Sequence, residues 1–134
     1  MTARRRANHY ADPLVEAIIV ESVRPMSAYA VAKLARQRGT QLATVQVYRC
    51  LDRLIAARRI EKIVSLRAHV AKRFETCLHI VCDNCGACKT VPSAPLAKEI
   101  DRLGGCIRFA ARTFSLEARG TCPDCTLDSG RNVI

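Results

Sequence analysis

Two cysteine pairs have a spacing that permits metal chemistry. Cys82-x-x-Cys85 and Cys122-x-x-Cys125 are separated by thirty-six residues. Each pair makes a tight knuckle that turns two thiolates toward one point, and two knuckles supply the tetrahedral sulfur cage that suits Zn²⁺. Gly86 behind the first knuckle and Pro123 inside the second both favour such turns. Four thiolates leave no open coordination position, so the expected metal is structural. Its binding free energy, roughly 10–16 kcal/mol in small zinc modules, would then hold together a segment with little core of its own.

Cys88 adds an alternative. Cys82-x-x-Cys85-x-x-Cys88 also opens like the cysteine run of iron–sulfur proteins, but residues 89–105 contain no fourth cysteine. An iron–sulfur or thiol redox sensor or carrier is therefore the rival reading of these thiols. Enzyme motifs fail. His69-Val70-Ala71 lacks the glutamate of a zinc deaminase, and Cys122 precedes its proline instead of following one. H-E-x-x-H, a phosphate-binding glycine loop and G-x-S-x-G are all absent, so no enzyme is expected.

The elements that would carry these residues divide by charge. Of the net +10, residues 1–75 hold 15 basic and 6 acidic side chains (+9), and residues 76–134 hold 7 and 6 (+1). A first half this basic points to a polyanion. Arg4, Arg5 and Arg6 read as a basic arm that adds phosphate contacts. The opening residues lack an apolar run after these arginines, and no stretch has 18 apolar residues. The expectation is a cytoplasmic chain with no membrane partner and with reduced cysteines.

Asp12-Pro13 predicts the start of a first helix, with Asp12 as cap and Val15, Ile18, Ile19 and Ser22 or Val23 as its inward stripe. Ser27 predicts the cap of a second helix through Arg38, with Val31, Leu34 and Ala35 inward and Gly39 as its stop. A third helix over 43–57 places Val47, Leu51, Leu54 and Ile55 on a core face. Gln46, Arg49 and Arg53 fall on a polar, cationic face. The short 39–42 link makes the pair a helix-turn-helix, whose second helix would present that face to a major groove, together with Thr44 and Tyr48. Residues 60–64 and 68–71 are β-prone and read as a wing. Beyond Cys77, strands are expected over 77–81 and 88–91. A helix over 96–103 is expected to end at Gly104-Gly105, a pair of strands or one long bent strand is expected over 107–117, and a frayed tail over 127–134. The fold class is thus α+β: a winged helix-turn-helix over 1–75, then a small α/β zinc-containing domain over 76–134.

The phrase Val47-Tyr48-Arg49-Cys50-Leu51-Asp52-Arg53-Leu54, followed by His79 and then Cys82-Asp83-Asn84-Cys85-Gly86, resembles the ferric uptake regulator family. Ser27-Ala28-Tyr29 and the segment 65–71 are similar to its zinc uptake regulator branch in particular. The resemblance covers about residues 12–126. It implies a metal-dependent, DNA-binding transcriptional regulator, usually a repressor, acting on metal homeostasis genes. It implies a homodimer on a double-stranded DNA operator, paired through the C-terminal half. Tyr29 and Arg49 match base-contacting positions, and Cys82, Cys85, Cys122 and Cys125 match structural zinc ligands. The branch's regulatory metal site is altered: its wing histidine is Glu61, its wing cysteine falls on Lys72 and its later glutamate on Thr90. His79 keeps a position that holds sensory metal in the wider family. A second, regulatory metal ion would therefore draw on His79 with Cys77, Glu61 and Cys88. A basic zinc-ribbon adaptor binding RNA or protein is the remaining alternative.

Overall fold

The computed structural model describes residues 9–130, with side chains through 126. The basic arm at Arg4–Arg6 lies outside these residues. The chain divides into two compact units, Met1–Lys72 and Arg73–Ile134, where the charge pattern placed a boundary at 75.

Helices α1 (Asp12–Glu21), α2 (Ala28–Gln37) and α3 (Thr44–Ala56) pack into the first unit. Their inward residues form one cluster that includes Val15, Ile18, Ile19, Val31, Ala35, Val47, Leu51 and Leu54. Burial of this aliphatic surface drives the unit's folding. Cys50 joins the same stripe on α3 and is 1% exposed. Val23 does not extend the α1 stripe; it is exposed, because α1 ends at Glu21.

The helix ends follow local chemistry, with one exception. Ser27 Oγ accepts the Ala30 N–H and starts α2. Gly39, at φ +87°, stops it: the Gly39 and Thr40 N–H groups donate back to Arg36 and Ala35 carbonyls. At α3, the Ala43 N–H donates to Gln46 Oε1, so Gln46 supplies half of a capping box. The exception is α1. Its N-cap is Ala11, and Asp12 is not a cap, because its carboxylate is engaged by Arg53 of α3.

Strands β1 (Ile60–Ile63) and β2 (Ala68–Ala71) pair antiparallel, joined by a 3-10 turn over Val64–Leu66 and by Arg67 in the left-handed region. This is the expected wing. His69 also bridges to Met26, each donating its N–H to the other's carbonyl, so the wing is tied to the segment before α2.

In the second unit, β3 (Cys77–Cys82) lies between β4 (Cys88–Pro92), antiparallel, and β5 (Leu116–Gly120), parallel. Two expectations fail here. Helix α4 (Ala94–Cys106) runs through Gly104-Gly105 instead of ending there. Gly104 serves a close approach: a Cβ on it would meet the Phe109 carbonyl oxygen at 2.8 Å. The N–H groups of Ile107 and Phe109 both fold back onto the Gly104 carbonyl, with Arg108 at φ +59°. That return leaves 107–115 without a strand, and pairing begins only at Leu116. Helix α5 (Pro123–Gly130) begins within the second cysteine knuckle and occupies part of the stretch expected to fray, the rest of which lies outside the described residues. Among the described residues, no helix is long and apolar enough to cross a membrane.

Candidate metal centre and nucleic-acid interface

The end of β3 and the turn after it carry Cys82 and Cys85. The chain leaving β5 and the first turn of α5 carry Cys122 and Cys125. Their four Sγ atoms lie within 4.8 Å of one another. Backbone bonds hold the knuckles: Gly86 N–H to the Cys82 carbonyl, Asp83 N–H to the Gly120 carbonyl, and Thr126 N–H to the Cys122 carbonyl. Gly86 sits at φ +77°, which the first knuckle requires and which a side chain would resist. A tetrahedral Zn²⁺ with bonds of about 2.3 Å sets sulfurs about 3.8 Å apart. Cys85 Sγ and Cys122 Sγ are 3.7 Å apart.

The electrostatics of the four thiols ask for a cation. The Cys82 thiol is pulled down to about 6 by backbone N–H groups, first that of Cys85 and then that of Cys122, the latter 3.3 Å away. Asn84 donates to Cys125, yet the neighbouring thiols of Cys122, Cys82 and Cys85, with burial, push that group up to about 12. One thiol is held low while another is held high, because the proton kept on Cys125 hydrogen-bonds to the sulfurs around it. A divalent ion removes the conflict by taking all four as thiolates. The donor set therefore fits structural zinc. Cys88 lies on β4, its thiol raised by burial and then by Glu117, and is not part of the cage.

The second ligand set is spread over β3, β4 and the first unit. Cys77 and His79 are buried on the same face of β3, as their alternation predicts. His79 Nδ1 lies 3.1 Å from Thr90 Oγ1, its partner in register on β4, and Cys77 donates to the Phe74 carbonyl. Glu61 belongs to β1 of the other unit. Among the described residues, the cysteine quartet is the group of three or more metal-ligating side chains that comes together.

On the first unit, α3 turns Thr44, Gln46, Tyr48 and Arg49 outward to different degrees: Thr44 is half-buried and the other three exposed. Tyr29 on α2 is also exposed. An open groove between the two helices is lined by Tyr29, Lys33, Arg36, Thr44 and Gln46 among others. Lys33 and Arg36 were missed in the sequence. With Tyr29 they recur at i, i+4 and i+7, a polar stripe as readable as the one on α3. Arg53 departs from the expected set. Its Nε and Nη2 donate to Asp12 Oδ2 and Oδ1 at 2.9 and 2.8 Å, so its fork is turned onto α1.

No protein-family model matches the chain. It is 30% identical over 105 residues to the zinc uptake regulation protein of Escherichia coli (strain K12), an alignment covering 75% of this chain and 61% of the relative. The chain thus spans about three-fifths of that relative's length. Its structure is similar to a zinc uptake regulator complexed with zinc and DNA, with TM-score 0.83 and 25% identity over 90% of this chain and 84% of that one. Holo XcZur shares the fold at TM-score 0.77 and 22% identity, over 88% of this chain and 85% of that one. Together with the cysteine cage and the winged helix, these likenesses make the chain similar to zinc uptake regulators, a branch of the ferric uptake regulator family.

Proposed function

We propose that the protein is a metal-dependent, DNA-binding transcriptional regulator, a repressor of metal homeostasis genes that works as a cytoplasmic homodimer and is not an enzyme. The observation that carries this reading is the four-thiol cage in a chain whose other unit is a basic winged helix. The likeness at 25% identity to a regulator complexed with zinc and DNA supports it. Structural zinc is held by Cys82, Cys85, Cys122 and Cys125, and it fixes β3, β5 and α5 to one another.

Arg49, exposed on α3, is the residue best suited to fork onto a guanine in the major groove. Tyr29, Thr44, Gln46 and Tyr48 flank it, and Lys33 and Arg36 meet phosphates. Homodimer formation is supported by apolar surface on the second unit. Leu103, Ile107 and Phe109 are all more than half exposed, and α4 has no buried residue. Surface of this kind is usually covered by a partner. An isologous pair would set two α3 helices on a near-palindromic site.

The test begins with protein purified without added metal, in which about one zinc per chain is expected. That protein is then used to enrich duplexes from a randomised pool. Enrichment of a near-palindromic sequence supports the reading, and binding without sequence preference would favour an adaptor instead. Visible absorption from the purified protein would favour the iron–sulfur alternative. Further zinc is then titrated. If the structural zinc is the one metal that DNA binding needs, the selected duplex should bind equally well with or without a second equivalent. A gain in affinity that His79→Ala abolishes would instead put a sensed metal on β3.

A further inference from the structure

Three acidic residues of α1 each hold an arginine from another part of the first unit. Asp12 takes Arg53 of α3, Glu16 takes Arg59 just beyond α3, and Glu21 takes Arg38 at the end of α2. The Asp12 pair differs from the other two. It is a two-bond fork, at 2.9 and 2.8 Å, and its side chains are only 19% and 28% exposed. A planar guanidinium facing a carboxylate in this way fixes direction as well as distance. Beneath it, Cys50 packs at 1% exposure, with its Sγ 3.5 Å from Arg53 Nη2.

The position of the fork along α3 is what gives it a consequence. Arg49 stands one turn before Arg53 on the same helix and faces outward. A helix held by an apolar stripe alone can rotate about its axis at modest cost, because dispersion contacts are non-directional. The tip of an arginine stands about 8 Å or more from that axis, given a Cα radius of about 2.3 Å. A rotation of about 10° therefore moves the tip by about 1.5 Å, enough to break a bidentate bond to a base edge.

We infer that Asp12 and Arg53 are positioning residues for sequence recognition: their fork sets the rotation of α3, and so the aim of Arg49, without touching nucleic acid. This rests on the DNA-binding function proposed above, and it removes Arg53 from the residues that would contact DNA.

The experiment uses full-length, zinc-loaded protein and two probes: the duplex that wild-type protein selects from a randomised pool, and a shuffled duplex of the same length and composition. Asp12→Asn and Arg53→Gln should each lower discrimination between the two probes about tenfold or more. Binding to the shuffled duplex and its salt dependence should stay as in wild type. The double variant should discriminate no worse than either single one, because both break one interaction. Arg53→Lys keeps the charge and loses the fork, so it should behave like Arg53→Gln.

Direct DNA contact by Arg53 gives the opposite pattern. Arg53→Gln would then weaken both probes and lower the salt slope by about one, Arg53→Lys would restore most of the loss, and Asp12→Asn would tighten binding. Any of these results overturns the inference, as does unchanged discrimination in a folded Asp12→Asn protein. If Asp12→Asn does not fold, the comparison of Arg53→Lys with Arg53→Gln decides. Wild-type protein that enriches no sequence would remove the proposed function itself. Wild-type enrichment with indifferent variants would remove only the positioning role.

Discussion

Asp12 shows how a residue's partner, not its type, sets its role. It has the chemistry of a helix cap, but the Arg53 guanidinium is within reach of both its oxygens and holds its carboxyl below the ordinary value of 3.8. A depressed carboxylate stabilises the fold above its unfolded-state value, and the contribution is lost as pH falls through the folded value. Asp12→Ala should therefore cost about 1–2 kcal/mol at neutral pH, partial exposure keeping the effect small. The difference from wild type, followed by urea unfolding, should shrink as pH drops below 3.8. His69 runs in the same direction for another reason. Burial lowers it from 6.5, against the hydrogen bond to the Met26 carbonyl, which favours the charged form. The neutral ring is the native one, so this group's contribution is whole above about 6.5 and is lost as pH falls below it. Ring resonances of His69 in a pH titration should show a midpoint under 6.5, and a midpoint above it would contradict this. Cys50 is held as a thiol: burial and then Asp12 push it up to about 12. It is a packing residue of α3 and not a metal ligand.

The wing and α3 can be tested as elements. The four-residue connection of the wing closes through Arg67 at φ 50°, ψ 42°, a conformation that costs a side-chain-bearing residue about 1–2 kcal/mol. Glycine takes it without that cost but loses more freedom on folding. Arg67→Gly should therefore stabilise the protein by about 0.5–1 kcal/mol in chemical unfolding, and a destabilised variant would mean the guanidinium holds the turn. On α3, Arg49→Ala should cost roughly 1–3 kcal/mol toward the selected duplex and relax its base preference at one position. Unchanged specific binding would show that α3 is not the reader. The strand expected from residue 107 failed because Gly104 lets the chain double back onto α4. Hydrophobic alternation does not report such a return.

At the scale of the whole molecule, each of the two units is stabilised by different physics. The cluster of the first unit is aliphatic and runs through three helices and the start of the wing. From Arg73 onward, the buried side chains among the described residues are Cys77, His79, Val81, Cys82, Ser93 and Cys125. Three of the six are cysteines and one is aliphatic, so little apolar burial supports the sheet without metal. Chelation should therefore abolish protected amide hydrogens in β3, β4 and β5 while those of α1 to α3 persist. Cys122→Ser should do the same without chelator. Equal protection of β3 in metal-free protein would mean that the sheet does not depend on zinc.

The sequence alone determined the features set by local spacing. The C-x-x-C pairs, the helical stripes, the Ser27 cap, the Gly39 stop and the alternation of the wing all depend on near neighbours in the chain. Their physics is the same in any context. Burial of Cys77 and His79 on one face of β3 was legible for the same reason. Tertiary structure decided whatever depended on a partner far along the chain. Arg53 reads as a groove-facing cation on α3 until Asp12, forty-one residues earlier, is placed beside it. Gln46 reads as a base-contacting side chain, and its carbonyl oxygen caps the helix that carries it. Gly104 reads as a helix stop, but its missing Cβ serves the approach of Phe109. Four cysteines named a metal, and the fold brought their sulfurs within 4.8 Å. Among the described residues that quartet is the group of this kind that the fold gathers, while His79 meets Thr90 across the β3–β4 pair.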